Sequence, residues 1–593
     1  MAMTAAIVFG SATVVLGLAL LPRRWRVRAI DIMVVGGIGY LIVSNAGKSR
    51  RSAVKPSEFA QAVDLSPIKS LAVQQSGRIK SLDSVARTQM RYASGRHQIA
   101  GQEPTFTYLD IMLRPEAYEN ADVIYVKKQP IRQQIADKLA QVNAIEMSVL
   151  DTFVTSGLIS PSLLRQPVVT ALLDVMEQDV IRTKRPAEEI RGAMARLRPE
   201  VLAQFMRVIP PASGKTDDAW HLGDEVWGGA GAAPGLDAAL SEKMGQAWSQ
   251  LRSSWREQNA TGVNDAAARL AALVRSVSPT YPETEKLKLE NWYFRWNSMT
   301  WIWVVYLAAI PPLLMSVIYH WKAARGIGLV LFVAAFGLHT SSLGLRWHIS
   351  GRIPNSNMFE AITAATWLAG VVAMGLEFAG RRSGMRSLFA LGAAVAGMTA
   401  MMCNHFMPTT LSSDIENIMP VLHDVWLYIH TNMIILSYGL IAMAAVSALL
   451  YLRYRLSGGA ATFATAGGAG TLMMASKRGG AGGGFVSAGR TTAGHVLDGA
   501  TMVLMELSFV TLWTGLVMGA IWADHSWGRP WGWDPKEVFA LNTFIVFLVL
   551  VHVRFKVKDK GLWTAILAVV GCGVMLFNWI VINFVITGLH SYA

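Results

Sequence analysis

Four tryptophans lie within twelve residues near the carboxyl end of the chain: Trp522, Trp527, Trp531 and Trp533. Tryptophans at a bilayer boundary usually form an interfacial belt, and a belt alone is one interpretation of this segment. Glycine and proline interrupt the segment, however, and indoles crowded into a loop are typical of a flat apolar platform for a large planar ligand. The segment 522–537 therefore predicts a ligand platform.

Charged residues close the same segment. Asp534 precedes Pro535, and this pair predicts the start of a helix with Glu537 in its first turn. Lys536 and Arg529 can pair with carboxylates of a bound ligand. The segment thus offers both a stacking surface and cations.

Histidine is the second chemical signal, because imidazole is a common ligand of haem iron. His430 and His590 lie at helix ends on the side that carries the tryptophans, and together they predict an axial pair for haem iron. His552 lies about 22 Å inside a predicted membrane helix, where an ionisable residue is a functional candidate by default. The alternative for His552 is a hydrogen bond to a neighbouring helix. His339 is a second intramembrane candidate, either as a core residue or as a ligand.

A third group of polar residues lies between two predicted helices, from Arg346 to Glu360. Arginine and glutamate at the mouth of a helix bundle have two interpretations. Arg346 either positions an anionic group of a ligand or forms an ion pair with Glu360 that fixes the helix ends.

The elements that must position these residues are membrane helices. The chain of 593 residues is 52% hydrophobic and 16% charged, which argues against a single soluble domain. Apolar runs near the ~20 residues needed to cross a bilayer predict an all-α polytopic bundle of ten spanning helices. Their predicted ranges are 5–21, 29–45, 299–319, 326–345, 359–379, 388–404, 429–452, 501–523, 537–553 and 562–587.

The links between these helices differ in charge. Successive links lie on opposite sides of the membrane. The links of one side hold 18 Lys and Arg in total, whereas the short links of the other side hold 4. Because positive links stay in the cytoplasm, this count predicts that both termini, 46–298 and 522–537 lie on the extracytoplasmic side of a bacterial inner membrane. The arginines of the first apolar run follow it, so that run is expected to be an anchor and not a cleaved signal. Most of the net charge of +14 therefore reflects topology, and no nucleic-acid partner is expected.

Two long links divide the chain further. Residues 46–298 predict a large, mostly α-helical extracytoplasmic domain between the two N-terminal helices of 1–45 and the eight-helix membrane domain of 299–593. Residues 453–500 are rich in Gly and Ala and are expected to form a flexible cytoplasmic loop, since they cannot bury enough apolar surface to order themselves.

At these residues the chain resembles the CcsA (ResC) family of cytochrome c biogenesis proteins, which handle haem and carry a tryptophan-rich WWD loop. The segment from Trp522 to Glu537 is similar to that loop. Further similarities are Arg346-Trp347, Pro354…Asn357…Glu360, His430 after Trp426-Leu-Tyr-Ile, Val551-His552-Val-Arg554 and Gly588-Leu-His590. The resemblance covers roughly 290–593, with fainter pieces at 74–82 and 281–290.

The resemblance implies a role in the maturation route called System II. Such proteins bring haem b to the outer face of the membrane and promote its covalent attachment to Cys-x-x-Cys-His motifs of apocytochrome c. It implies that His430 and His590 are the outer axial ligands, His552 the intramembrane ligand, and the platform of Trp522, Trp527, Trp531, Trp533 and Asp534 the porphyrin site.

A holocytochrome c synthase of this kind would act mainly by positioning haem, because the sequence shows no catalytic nucleophile or base. The two cysteines, Cys403 and Cys572, form no Cys-x-x-Cys motif, so thiol reduction is expected to belong to another protein.

Fused relatives in this family supply another intramembrane histidine from a CcsB half, and the first two predicted helices here contain none. Three alternatives follow: a separate CcsB/ResB-like membrane protein supplies it, His339 substitutes, or the inner site has one ligand.

Two other function classes compete with this interpretation. A haem b electron-transfer subunit usually pairs histidines across one four-helix bundle, whereas these histidines lie at helix ends with a single deep one. A solute transporter often shows internal repeats with broken helices, and the sequence shows no such repeat.

Overall fold

The computed structural model describes residues 56–582, except 76, 100, 143–144, 180–182, 212, 214–217, 228–235, 381–384, 409, 418–423 and 465–492. The predicted helices at 5–21 and 29–45, and His590, lie outside the described residues. The described residues form two units: 299–413 with 418–582, and 56–298 with Asp414–Asn417.

The unit formed by 299–413 and 418–582, called the membrane unit below, consists of long apolar helices. Eight helices in the described residues are long and apolar enough to cross a bilayer, which confirms the predicted polytopic helical class and eight of the ten predicted spans. A 3-10 turn at Asn297–Ile302 precedes the first. The helices are α15 (Trp303–Tyr319), α16 (Lys322–Ser350), α17 (Met358–Ala379), α18 (Leu388–Phe406), α19 (Val425–Leu456), α20 (Ala493–Trp527), α21 (Pro535–Lys556) and α22 (Lys560–Phe577), numbered after fourteen helices of the other unit.

Polar caps fix where four of these helices begin. The side chains of Asn357, Asp424, Asp534 and Asp559 accept hydrogen bonds from backbone N–H groups in the first turns of α17, α19, α21 and α22. A cap satisfies N–H groups that have no partner inside the helix. The predicted helix start at Asp534-Pro535 is therefore confirmed.

Several helix boundaries differ from the sequence prediction. Helix α20 begins at Ala493, within the predicted loop 453–500, and residues 465–492 of that loop lie outside the described residues. The predicted helix 501–523 extends to Trp527, so Trp522 and Trp527 belong to the last turns of α20 and not to a loop. The prediction stopped at the polar pair Asp524 and His525, but both side chains are exposed and do not interrupt the backbone bonds. The helix ends where Gly528 adopts φ 68° and donates its N–H to the Asp524 carbonyl.

The other unit is mostly α-helical, as predicted. Its helices are α1 (Glu58–Ala62), α2 (Ser66–Lys69), α3 (Leu82–Ser94), α4 (Pro104–Leu113), α5 (Gln129–Leu139), α6 (Met147–Ser156), α7 (Pro161–Leu164), α8 (Pro167–Gln178), α9 (Lys184–Arg196), α10 (Pro199–Ala203), α11 (Gly223–Trp227), α12 (Ala238–Arg256), α13 (Ala260–Ser276) and α14 (Thr284–Arg295). Strands β1 (Ala72–Gln75) and β2 (Arg78–Ser81) form one antiparallel pair, and β3 (Ile124–Tyr125) and β4 (Leu158–Ile159) form another.

An aromatic cluster lies at the centre of this second unit. The ring of Trp255 contacts Phe59 and Phe106 at centroid distances of 5.6 and 5.1 Å. Its indole N–H donates to Asp110 at 2.8 Å, so the buried polar atom is satisfied.

Candidate ligand-binding cavity

A cavity of about 300 Å³ opens at one end of the membrane unit. It lies among the first turn of α17, the first half of α19, the last turns of α20, the first turn of α21 and the turn that follows α22. Its volume is at the lower end of the range of cofactor-sized pockets, and its lining is mainly apolar. The lining residues used below are His430, Tyr438, Trp522, Trp531, Lys536, Glu537 and Asn578.

His430 lies on the wall of this cavity, in the second turn of α19. Its Nδ1 is 2.7 Å from the carbonyl oxygen of Gly515 on α20. Because a carbonyl can only accept, Nδ1 carries the proton, and in the neutral imidazole the lone pair that can coordinate a metal is then on Nε2. A backbone partner of this kind also fixes the orientation of the ring, as is common for metal-ligating histidines.

Two glycines of α20 make room for His430. A Cβ atom at Gly519 would lie 2.6 Å from both Cε1 and Nδ1 of His430, and a Cβ atom at Gly515 would lie 2.7 Å from Ile434 on the same helix as His430. Small residues let two membrane helices approach closely. The glycine pair at i and i+4 is thus the reason that the ring fits against α20.

The four tryptophans are divided between the cavity and its surroundings. Trp522 and Trp531 line the cavity. Trp522 is buried, and Trp527 packs edge-on against it at a centroid distance of 4.9 Å. Trp533 is 75% exposed and is not among the lining residues. Trp527 and Trp533 therefore border the platform without lining its cavity.

Asp534 and Lys536, which follow the tryptophans, have different structural roles. Asp534 is buried and acts as the N-cap of α21, in a capping box with Glu537. Lys536 lines the cavity and is half-buried. A role for Asp534 in ligand binding stays a prediction, and Lys536 is the cation of the segment that the structure places at the cavity.

Arg346 forms the ion pair that the sequence offered as one of two interpretations. Its Nε donates to Glu360 at 2.7 Å, and a second arginine, Arg352, donates to the same carboxylate at 2.9 Å. Arg346 and Glu360 are both fully buried, and neither lines the cavity. The structure thus places Arg346 where it joins α16 to α17, and its role toward a ligand stays a prediction.

The comparisons with known proteins concern the half of the chain that contains this cavity. A family model described as "Cytochrome C assembly protein" matches residues 355–590. Curated relatives named cytochrome c biogenesis protein CcsA include that of Parasynechococcus marenigrum (strain WH8102), 30% identical over 272 residues, or 46% of this chain and 88% of the relative. The relative of Trieres chinensis is 30% identical and that of Thermosynechococcus vestitus is 31% identical, with 89% and 82% of their lengths covered. This chain belongs to the CcsA family.

The CcsA match divides the chain unevenly. The matched residues 355–590 include every residue that lines the cavity, from Asn355 to Trp579. Residues 56–298, which form the second unit, lie outside the match. The resemblance seen in the sequence is therefore confirmed for the membrane unit.

His552 and His339, the two intramembrane candidates of this CcsA-family chain, are not among the residues that line the cavity. His552 is exposed on α21, and its Nδ1 is 2.7 Å from the carbonyl oxygen of Leu548 one turn earlier. His339 is fully buried on α16, with Nδ1 3.0 Å from the hydroxyl of Tyr306 on α15. His552 thus faces outward from the described bundle, whereas His339 is a packed core residue.

Two polar residues of the cavity were missed by the sequence prediction. Tyr438 and Asn578 are buried residues of its lining, and the Asn578 side-chain amide donates to the Tyr438 hydroxyl at 2.9 Å. Asn578 begins a π-helical turn, Asn578–Ile582, a distortion that is frequent at functional sites. The signal that could have found them is a polar side chain inside an apolar membrane run.

Proposed function

We propose that the chain binds haem in this cavity and presents it at the outer face of the membrane for covalent attachment to apocytochrome c. Membership of the CcsA family assigns the chain to cytochrome c maturation, and haem is then its substrate. The observation that carries the proposal is the His430 imidazole, hydrogen-bonded through Nδ1 to the Gly515 carbonyl, on the wall of an indole-lined cavity.

The chemistry of the lining fits a porphyrin. Indole faces and aliphatic side chains would contact the apolar macrocycle, and the ammonium of Lys536 would pair with a propionate. His590 would supply the second imidazole in this proposal. The proposed ligand set of the outer site is therefore His430 and His590, against a wall of Trp522 and Trp531 with Trp527 and Trp533 at its border.

The chain acts on the reaction by positioning. Attachment adds a cysteine thiol of the apocytochrome across a haem vinyl group, so that a thioether forms and no leaving group departs. His430 would hold the ring plane, the tryptophan wall would exclude water, and the open end of the cavity would admit the apocytochrome peptide. Holding two reactants in one geometry lowers the entropic part of the barrier without a nucleophile or base from this chain.

The proposed location and partners follow from charge and exposure. The excess of Lys and Arg in alternate links supports a bacterial inner membrane with the cavity on the extracytoplasmic side, the side that apocytochrome c reaches. The exposed imidazole of His552 supports a second membrane chain of the CcsB/ResB type, because a lone polar group facing lipid is costly. We propose that His552 is an intramembrane haem ligand at that contact.

The test is an absorption spectrum of the purified protein. We expect a Soret band and a split α-band typical of bis-imidazole haem. Replacing His430 and His590 together with Ala should remove the outer haem, and added imidazole should partly restore it. The matched control is His348→Ala, which removes an exposed histidine from the last turn of α16.

Two outcomes would contradict the proposal. Unchanged haem retention in the double variant would exclude the axial pair. Fast reversible reduction of the bound haem by quinol would favour the rival class, a haem b electron-transfer subunit.

A further inference from the structure

The loop between α20 and α21 contains one residue in an unusual backbone conformation. Trp533 has φ 56°, the left-handed region that β-carbon-bearing residues rarely adopt, and its side chain is 75% exposed. Neither burial of the indole nor backbone preference explains this conformation. A group outside Trp533 must therefore hold it.

Glu537 supplies that group from the first turn of α21. One carboxylate oxygen, Oε2, accepts a hydrogen bond from Gly532 N at 2.9 Å and another from Asp534 N at 3.1 Å. These two N–H groups lie on either side of Trp533. A capping box requires only the bond to Asp534, so the bond to Gly532 is additional and closes the loop around the tryptophan.

The conformation held in this way separates two neighbouring indoles. Trp531 lines the cavity, whereas Trp533 points away from it, and the two rings are nearly perpendicular at a centroid distance of 6.2 Å. An extended backbone would place residues 531 and 533 on the same side. The left-handed residue therefore allows Trp531 to face the cavity while Trp533 faces outward.

We infer that Glu537 is a positioning residue: its single acceptor oxygen holds the Gly532–Asp534 backbone so that Trp531 forms the cavity wall. The expected effect of Glu537 on haem binding rests on the proposed function. Its effect on the backbone conformation of the loop does not. Glu537 acts through the backbone, and its charge is not required for this role, because a neutral carbonyl oxygen accepts the same two bonds.

The test compares Glu537→Gln with Glu537→Ala. The Gln side chain has the same length and one carbonyl oxygen, so it keeps the acceptor without the charge, whereas Ala removes the acceptor. Hydrogen exchange is measured on the full chain in detergent without haem, in a peptide that covers 530–536. We expect the Gly532 and Asp534 amides to exchange about tenfold faster in the Ala variant, because each amide loses its hydrogen-bond acceptor, and near the wild-type rate in the Gln variant, which keeps the acceptor.

Haem retention is the second measurement. We expect the Ala variant to retain less haem than wild type and the Gln variant to retain a wild-type amount, at equal yields of folded protein. Unchanged exchange in the Ala variant would overturn the inference, and so would fast exchange in the Gln variant. Faster exchange with full haem retention in the Ala variant would overturn the link to the cavity wall. Absence of haem from wild type and all variants would overturn the proposed function while the exchange data still decided the role of Glu537.

Discussion

The His430 ring fits against α20 only because residue 519 is glycine. In Gly519→Ala, the new Cβ would lie 2.6 Å from the imidazole, too close for any real contact. The ring must rotate, and its bond to the Gly515 carbonyl is lost. We expect haem bound in the cavity to fall severalfold, with a shifted Soret band, measured after purification in detergent.

The matched control for this substitution is Gly573→Ala. A Cβ atom at Gly573 would meet nothing within 4 Å. Alanine in a helix is more favourable than glycine by up to about 1 kcal/mol, so the control should fold at least as well as wild type. Equal haem loss in both variants would contradict the steric argument.

Residue types identified the chemistry of the site but not the direction of each side chain. His430 and Trp531 were predicted and line the cavity. Trp533 is of the same type in the same segment, yet it faces outward because of a backbone conformation that depends on Glu537. Tyr438 and Asn578 come together from helices 140 residues apart, a proximity that local sequence spacing does not contain.

At the scale of elements, the buried carboxylate of Glu360 holds α17 to the end of α16. It accepts from Arg346, Arg352 and the backbone N–H of Ser356. Removing the carboxylate leaves two arginine charges, one of them fully buried, without a counter-ion from Glu360. We expect Glu360→Leu to lower the free energy of unfolding by about 3–5 kcal/mol, measured by thermal unfolding in detergent.

A double substitution separates ion pairing from packing. Arg346→Met together with Glu360→Leu removes the fully buried pair and leaves Arg352, whose side chain is 10% exposed. The double variant should be more stable than Glu360→Leu alone, because apolar groups of similar size can replace a buried pair. A double variant that is less stable than Glu360→Leu alone would show that the Glu360 carboxylate does not stabilise the fold mainly through its ion pair with Arg346.

His97, which follows helix α3 in the second unit, is expected to make the stability of that helix depend on pH. Burial, together with Arg87 and Arg91, lowers the pKa of His97 to about 4, against a weaker opposing effect of Asp414. The unfolded chain, with a pKa near 6.5, binds more protons between these values. The contribution of the neutral His97 to the free energy of unfolding is therefore fully present above about pH 6.5 and is lost as the pH falls toward 4.

We expect the protection of α3 amides against hydrogen exchange to fall between pH 6.5 and 4.5, after correction for intrinsic exchange. His97→Gln should flatten this dependence, because an amide keeps a donor at that position and does not titrate. A steep dependence that persists in the variant would assign the effect to other groups.

Element boundaries were less predictable than element positions. Apolar length located the eight described membrane helices, because a bilayer sets their minimum length. It did not locate the end of α20, since Asp524 and His525 stay helical and exposed until Gly528 terminates the helix. Helix ends depend on caps and glycine conformations, which the apolar pattern does not record.

At the scale of the whole molecule, the histidines are separated by environment: His430 lines the cavity, His339 is in the core, and His552 faces outward. The bond from His552 Nδ1 to the Leu548 carbonyl leaves the lone pair on Nε2. In the proposed function, His430 would therefore hold a ligand of this chain, and His552 would hold a ligand shared with a neighbouring chain.

This separation predicts two haem populations with different requirements. His552→Ala should lower total haem in a preparation that contains the CcsB-like partner, yet leave the haem of the isolated chain unchanged, because the cavity does not involve His552. Val549→Ala is the matched control on the same exposed face of α21; it should change neither preparation. Both preparations are quantified by pyridine haemochrome absorbance. The contrary result would be that His552→Ala lowers only the haem bound in the His430 cavity. The exposed imidazole would then have no ligand role at the proposed contact between the two membrane chains.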